Sequence, residues 1–315
     1  MTMLLDHAAA SGVAVSQTEL TAADGFRLAA VVHEPARPRC VLVIGSAMAV
    51  PMKYYAPFAA FAAEESIAVL NFDYRGMGLS GPPSRRDARA PVADWARLDL
   101  EAALTFARQR WGLPVAYLGH SLGLHLFGLA PSSRDVRAAV GVASGSGWIG
   151  TAHSPFDFLR RLFLFAVLAP GVSLPLGWFP GRSIGVVGDV PGRQMRGWAR
   201  WCLSPGYVRH AAGGTVPEGF ARWRGRLLMV SFTDDAMMSR KAIALHADNF
   251  RSAAIEHRRI APGNFGLDEI DHFGFFRPAI GSAMWRPTLD WFDDAMQDAT
   301  TKPDGARKPT AWRSS

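Results

Sequence analysis

Cysteine is scarce in this chain of 315 residues, which contains only Cys40 and Cys202. Two cysteines cannot form a disulfide framework, and neither stands at the spacing that metal sites require. The sequence also lacks the H-E-x-x-H motif and clustered ligands of metal-dependent hydrolases. We therefore expect two buried apolar thiols, no metal site and no cofactor.

Signals for nucleic-acid binding and for export are missing as well. The formal net charge is +7, but no basic stripe interleaved with aromatic residues is present, so we expect no nucleic-acid partner. The first ten residues lack the basic start of a signal peptide and include Asp6, so a cytoplasmic location is expected. The oligomeric state is not indicated.

An unbroken membrane span is also lacking. Residues 162–179 are apolar or small throughout and are about as long as a span. Pro170, Gly171, Pro175 and Gly177 interrupt this run, and no second one exists. We expect it to form the core of an inserted domain and a wall of the substrate site, not a transmembrane helix. A surface that contacts lipid is the alternative.

The hydrophobic content and the pattern of short apolar runs indicate an α/β protein. Hydrophobic residues make up 49% of the chain and charged residues 19%, which is typical of a globular protein with a sizeable core. Alternating patterns around Asp24-Gly25 predict a hairpin. Short apolar runs at 39–44, 67–72, 114–118, 136–143, 226–232 and 253–260 predict strands. Helical patterns separate most of these runs, so we predict a mostly parallel, doubly wound sheet.

The composition changes after Ser144. Residues 146–219 are rich in Trp, Phe, Gly and Pro and have no visible strand alternation. We predict a mainly helical cap inserted at the carboxyl edge of the sheet. The domain prediction is therefore 1–145 for the first part of the core, 146–219 for the cap, 220–297 for the second part of the core, and 298–315 for a disordered tail.

A nucleophile elbow is predicted at Gly119-His120-Ser121-Leu122-Gly123. This G-x-S-x-G stretch stands between a predicted strand and a predicted helix, which is the context the motif requires. The glycines two residues before and after Ser121 permit the tight turn. Ser121 is the predicted nucleophile, and the free N–H groups at the following helix start suit a developing oxyanion.

A serine nucleophile needs a base and a group that orients the base. His272 follows the last predicted strand in a loop, where its side chain can reach Ser121. The run 226–232 ends at Asp234 and Asp235, so one of the two is the orienting acid. We favour Asp235 and leave Asp234 as the alternative, with the other aspartate available as a helix cap. The flanking histidine His120 is expected to pack in the turn.

The order Ser121, Asp235, His272 is that of the α/β-hydrolase fold. From Val15 to Met296 the chain resembles serine hydrolases of that fold, and more narrowly a largely uncharacterised group of bacterial α/β-hydrolases. The resemblance is carried by D-Y-R-G-M-G-L-S at 73–80, W-A-R-W-C at 198–202, Asp234-Asp235, and H-F-G-F-F-R at 272–277. These motifs are specific for the fold and the triad, and not for the substrate.

The oxyanion hole departs from the family pattern. The family usually carries His-Gly after its third strand, whereas this chain has Ser46-Ala47 there, followed by Met48. The resemblance therefore implies backbone N–H donors at Leu122 and Met48, with Ala47 as the alternative to Met48.

The predicted triad and oxyanion donors indicate a serine hydrolase that cleaves an ester or thioester. The aromatic, Pro-rich cap indicates that the substrate is an apolar acyl or aromatic small molecule. An acyltransferase with the same triad is one alternative. A non-catalytic binding or scaffold protein of this fold is the other.

Overall fold

The computed structural model describes residues 12–81, 90–183 and 188–298. Residues 1–11 and residues 299–315 of the predicted tail lie outside the described residues. The strands are β1 (Val13–Thr21), β2 (Arg27–Pro35), β3 (Cys40–Gly45), β4 (Ile67–Phe72), β5 (Val115–His120), β6 (Ala138–Val142), β7 (Trp178–Phe179), β8 (Val190–Pro191), β9 (Arg226–Phe232) and β10 (Ala254–Ile260). The α-helices are α1 (Ala56–Glu64), α2 (Glu101–Trp111), α3 (Leu122–Phe127), α4 (Pro155–Phe163), α5 (Ala169–Leu176), α6 (Gly192–Leu203), α7 (Glu218–Ala221), α8 (Arg240–Ala247) and α9 (Pro278–Asp298).

Eight strands form one sheet in the order β1-β2-β4-β3-β5-β6-β9-β10. The first two pairings, β1 with β2 and β2 with β4, are antiparallel, and the other five are parallel. β5 is one of the parallel strands and lies near the centre of the sheet. The turn that follows it therefore lies in the middle of the carboxyl edge of these strands. The predicted hairpin and the mostly parallel, doubly wound sheet are confirmed.

The central strands are buried on both faces, which explains their continuous apolar runs. In β3, Val41 and Val43 belong to one core cluster, while Leu42 and Ile44 belong to the cluster on the other face. Helices α1 and α9 pack in the second cluster, and α2, α3 and α8 pack in the first. Both cysteines are buried, as expected from their settings.

The loop after β4 is fixed by ionic hydrogen bonds of Asp73 and Arg75. Asp73 accepts the backbone N–H groups of Met52 (2.7 Å) and Leu79 (2.8 Å). The fully buried Arg75 donates through Nε to Asp99 Oδ1 at 2.7 Å and pairs with Asp24 at 2.5 Å. Asp99, whose part in this network was not predicted, lies in the π-helical turn Trp95–Leu100 that leads into α2.

The segment between β6 and β9 is mainly helical, but it also contains the short antiparallel pair β7 and β8, which was not predicted. A π-helical turn at Leu164–Leu168 joins α4 to α5, so Pro155–Leu176 forms one helix of 22 residues. The expectation that Pro170, Gly171 and Pro175 interrupt the helix was wrong. Pro170 directly follows the π-helical turn, in which the Ala169 N–H donates to the Leu164 carbonyl, and Pro175 stands in the last turn. Gly177, in a left-handed conformation, does end the helix.

The same helix differs from the expected buried core. By length and hydropathy it is the one described helix that could cross a membrane, yet only 22% of its apolar window is buried. Much of its apolar surface faces outward, and none of its residues lines the cavity beside Ser121.

Candidate active site

Ser121 lies in a strained turn between β5 and α3. Its backbone angles are φ 49° and ψ −113°, a left-handed conformation that a residue with a side chain rarely adopts. Two hydrogen bonds hold it there. The Ser121 N–H donates to the Val142 carbonyl at 2.9 Å, and Ser144 Oγ donates to the Ser121 carbonyl at 2.7 Å. This is the sharp strand–turn–helix conformation that the G-x-S-x-G motif requires.

The two elbow glycines are required by close backbone approaches. A Cβ atom on Gly119 would lie 2.4 Å from the backbone nitrogen of Leu124. A Cβ atom on Gly123 would lie 2.1 Å from the carbonyl oxygen of Gly45 at the end of β3. Only glycine therefore allows α3 to start directly against β3 and β5.

His272 and Asp235 are joined by a buried hydrogen bond. The Nδ1 atom of His272 lies 2.8 Å from Asp235 Oδ2, and both residues are almost fully buried. Because an ionised carboxylate only accepts, this bond places the ring proton on Nδ1 and leaves Nε2 as an acceptor in the neutral ring. Asp235 Oδ1 accepts the N–H groups of Met237 (2.7 Å) and Met238 (3.0 Å), so the carboxylate is itself held in place.

Asp234 contacts the backbone of the histidine loop, not the histidine ring. Its Oδ2 atom accepts the N–H groups of Ile270 (2.8 Å) and Asp271 (2.9 Å). The suggestion that the second aspartate caps the following helix was wrong, because Ser239 caps α8 by accepting from Ala242. The two neighbouring carboxylates thus bind different parts of one loop.

His120 connects the elbow to the histidine loop. Its Nε2 atom lies 2.9 Å from the His272 carbonyl oxygen, and its Nδ1 atom lies 2.9 Å from the Tyr55 hydroxyl. The same hydroxyl accepts the Ala47 N–H at 2.8 Å. Burial, and to a lesser extent the neighbouring His272, lower the pKa of His120 to about 3, so the ring is neutral.

The directions of the hydrogen bonds that link His272, His120, Tyr55 and Ala47 are therefore fixed. A carbonyl accepts, so His120 Nε2 carries the proton, Nδ1 accepts from the Tyr55 O–H, and the Tyr55 oxygen accepts from Ala47. The side chain of His120 does pack in the turn, as expected. No sequence pattern indicated that His120 also fixes the His272 backbone, or that Tyr55 takes part.

The backbone N–H groups near Ser121 differ in availability. The Ala47 N–H is bound by Tyr55. Within the described ranges, neither the Met48 N–H nor the Leu122 N–H has an acceptor. Both residues line the cavity beside Ser121.

One small cavity brings the predicted residues together. Ser121, His272, Leu122, Met48 and Ala47 all line it. The remaining lining residues are mostly apolar or aromatic: His125, Trp198, Tyr207, Met237, Met238 and Phe273. Its free volume is about 30 Å³, which is room for about one water molecule. Ser121 itself is almost fully buried.

His125 and Tyr207 form a part of this cavity that the sequence did not indicate. The Tyr207 hydroxyl accepts the Trp198 N–H at 2.9 Å and lies 2.9 Å from His125 Nδ1. Burial lowers the pKa of His125 well below its usual value, so this ring is neutral too. No group of three or more possible metal ligands occurs in the portions of the chain that the structure covers.

Comparison with known proteins identifies the fold. No protein-family model and no curated protein sequence matches the chain. Solved structures do match. The α/β hydrolase GrgF from Penicillium sp. sh18 is 17% identical with a TM-score of 0.59, over 90% of this chain and 99% of that one.

Two further structures are similar over most of their length. A soluble variant of monoglyceride lipase from Saccharomyces cerevisiae, in complex with a substrate analogue, is 12% identical with a TM-score of 0.63, over 90% of this chain and 95% of that one. A thermostable carboxyl esterase from Bacillus coagulans, in complex with glycerol, is 11% identical with a TM-score of 0.59, over 90% and 99%. The chain has the α/β-hydrolase fold, as its sequence predicted.

Proposed function

We propose that this protein of α/β-hydrolase fold is a serine hydrolase that cleaves an ester or thioester through an acyl-enzyme intermediate. One observation carries the proposal: Ser121 and His272 line one cavity, and the far side of the His272 ring is bound to the buried Asp235 at 2.8 Å. The esterases and lipases among the similar structures support hydrolysis as the type of reaction.

In the proposed acylation step, His272 Nε2 takes the proton of the Ser121 hydroxyl while Oγ attacks the acyl carbon. The bond to the alcohol or thiol then breaks, and the imidazolium proton goes to that leaving group. Asp235 keeps the ring in the reactive tautomer and stabilises its positive charge. In the second half, water attacks the acyl-serine while His272 takes its proton. The bond between the acyl carbon and Ser121 Oγ then breaks, His272 returns the proton to Oγ, and the carboxylic acid leaves.

The oxyanion formed in both halves would be stabilised by the N–H groups of Met48 and Leu122. Two features support this pair over one that includes Ala47. The Ala47 N–H already donates to Tyr55, whereas Met48 and Leu122 line the cavity with no acceptor in the described parts of the chain. Such a donor typically contributes about 3 kcal/mol to lowering the barrier.

The cavity lining favours an apolar acyl or aromatic group. Three methionines, Met48, Met237 and Met238, form much of the wall, together with Trp198 and Phe273. Methionine side chains are unbranched and flexible, so they can move aside to fit groups of different shape. Because the free volume now holds about one water molecule, the acyl group must displace these side chains to bind.

A fluorophosphonate probe tests the chemistry, since it labels only an activated serine. Wild-type protein should be labelled at Ser121 and should release p-nitrophenol from acyl esters, with a preference for butyrate or longer chains over acetate. Ser121→Ala should abolish labelling, while Ser133→Ala should retain it, because Ser133 is a fully buried serine that does not line the cavity. Equal labelling of wild type and Ser121→Ala would refute the proposal.

A further inference from the structure

The helix Pro155–Leu176 carries an exposed apolar stripe. Phe156, Leu159, Phe163, Val167 and Leu174 are 78%, 60%, 58%, 54% and 65% exposed. Their spacing of three, four, four and seven residues puts them on one face of a helix. At about 1.5 Å per residue the stripe is roughly 27 Å long. A row of large apolar side chains facing outward is unusual on a soluble surface and marks an interaction site.

The opposite face of this helix is fixed to the protein. Its buried positions recur every four residues: Asp157, Arg161, Phe165, Ala169 and Ser173. Within this face, Arg161 pairs with Asp157 at 2.7 Å and donates to the carbonyl groups of Ala236 and Met237 at 3.2 Å each. A helix held in this way lies along the protein surface, and crossing a bilayer would expose the ion pair to lipid.

A cluster of arginines borders one end of the stripe. Arg193, Arg196 and Arg200 lie on one face of α6 and line a pocket of about 410 Å³ with Ser173, Leu174 and Gly177. Within the described residues, none of the three arginines pairs with a carboxylate. Leu174 belongs both to the stripe and to this pocket, so the apolar surface and the positive surface are continuous.

The surrounding charge has the same sign. Residues 155–203 contain six arginines and two aspartates, so this segment holds a net charge of +4 out of +7 for the whole chain. Arg196 donates to Ser173, but the arginines beside the apolar stripe have no carboxylate partner in the described residues. This arrangement matches the structure of an anionic bilayer, whose lipid tails lie below phosphate groups. In a symmetric dimer with this face at the interface, two surfaces of the same net positive charge would be brought together, which disfavours a second copy as the occupant.

We propose that the outer face of Pro155–Leu176, with Arg193, Arg196 and Arg200, docks the protein on membranes that contain anionic phospholipids. The stripe enters the headgroup region, and the arginines bind lipid phosphates.

This surface is connected to the cavity beside Ser121. Phe165, on the inner face of the helix, contacts Trp198 with ring centroids 5.1 Å apart, and Trp198 lines the cavity. Arg161 binds the carbonyl group of Met237, which also lines it. Docking would therefore place the cavity beside Ser121 near the lipid boundary, where apolar acyl substrates concentrate.

Vesicle co-sedimentation tests docking without relying on catalysis. Full-length protein is mixed with phosphatidylcholine vesicles with or without about 30 mol% phosphatidylglycerol, at low and high salt. Wild type and Ser121→Ala should bind equally well to the anionic vesicles, bind several-fold less to pure phosphatidylcholine, and be released by alkaline carbonate. Failure of the proposed hydrolase chemistry would leave these results unchanged.

Matched variants locate the surface. Leu159→Glu/Phe163→Glu should weaken binding at least about tenfold, while Leu79→Glu/Ile255→Glu, with the same charge change at apolar positions that are 68% and 41% exposed, should not. Arg193→Gln/Arg200→Gln should lower binding to anionic vesicles about tenfold or more, while Arg134→Gln/Arg222→Gln, with 80% and 81% exposed side chains, should have a much smaller effect. Thermal unfolding verifies that each variant is folded.

Three outcomes would overturn the proposal. The first is that the wild type binds neither vesicle type. The second is that the stripe variant and its control lose vesicle binding to the same extent. The third is resistance to carbonate extraction, which would mean that the helix crosses the bilayer. If vesicle binding is absent and ultracentrifugation finds a dimer that Leu159→Glu/Phe163→Glu dissociates, the stripe is covered by a second copy.

Discussion

The Nε2 atom of His120 lies 2.9 Å from the carbonyl oxygen of His272. This hydrogen bond joins the residue before the proposed nucleophile to the backbone of the proposed base, 152 positions away in the chain. Through Nδ1 the same ring is bound to Tyr55, which accepts from the loop that carries Met48. His120 thus sets the distance between three parts of the candidate site without facing the substrate.

We predict that His120→Phe lowers kcat/KM about a hundredfold, because a displacement of about 1 Å at the base is enough for such a loss. The fall should lie mainly in kcat, since the substituted side chain does not line the cavity. Burial of the unpaired His272 carbonyl and Tyr55 hydroxyl should also lower the free energy of unfolding by about 1–3 kcal/mol. In Tyr55→Phe, His120 can still donate to the His272 carbonyl, so we expect a smaller loss of activity. A wild-type kcat in His120→Phe would contradict this positioning role.

Mutations of the neighbouring Asp234 and Asp235 should have very different effects on kcat. Asp235→Asn should lower kcat by about 10⁴-fold, because an amide at this position favours the wrong tautomer of His272. Asp234→Asn should change kcat less than about tenfold, because its amide oxygen can still accept the Ile270 and Asp271 N–H groups. Ester hydrolysis under saturating substrate measures both. Equal losses would mean that Asp234 also acts on the ring.

The sequence predicted the order of strands and helices and the three triad candidates because these depend on local patterns. The strand 67–72 and the strand 226–232 are continuous apolar runs, and the structure has both at these bounds. The G-x-S-x-G stretch is a local pattern of five residues that marks the turn, although the contact that requires Gly123 is with the distant Gly45. Asp235 could be favoured over Asp234 only weakly, since adjacent side chains on a turn point in different directions.

Contacts between distant segments could not be predicted. The bond between His120 and His272 depends on how two loops meet above the sheet, and so does the one between Tyr55 and Ala47. The outward direction of the apolar residues in Pro155–Leu176 was misjudged for a related reason. A run that is apolar on all sides carries no signal for which face is buried, and only Asp157 and Arg161 mark the inner one.

The elbow should not tolerate a methyl group. Gly123→Ala should lower the free energy of unfolding by about 2–4 kcal/mol or prevent folding, because the added carbon would lie 2.1 Å from the Gly45 carbonyl. Gly171→Ala is the matched control, since this helical glycine has no atom within 4 Å of the added carbon. It should be neutral or stabilising by about 0.5–1 kcal/mol. Urea unfolding of both variants checks this, and equal stability would contradict it.

Removing only one member of the buried ion pair of Arg75 and Asp99 should strongly destabilise the protein. Arg75→Met removes the guanidinium that binds Asp99 at 2.7 Å and leaves a fully buried carboxylate without its ion-pair partner. We expect a loss of about 3–5 kcal/mol in the free energy of unfolding. Arg75→Met/Asp99→Leu should recover most of it, because both charges are then gone. A double variant less stable than the single one would show that the pair itself is strongly stabilising.

Acid should destabilise the protein through its buried neutral histidines. Burial lowers the pKa of His120 and His246 to about 3 and that of His33 to about 4, from 6.5 in the unfolded chain. Below pH 6.5 the unfolded state binds these protons first, so each ring lowers the free energy of unfolding by about 1.4 kcal/mol per pH unit until its folded pKa is reached. Urea unfolding between pH 7.5 and 5, in steps of about 0.5 unit, measures the slope. His246→Phe should reduce that slope by one such increment. An unchanged slope in His246→Phe would mean that this ring is already protonated in the fold.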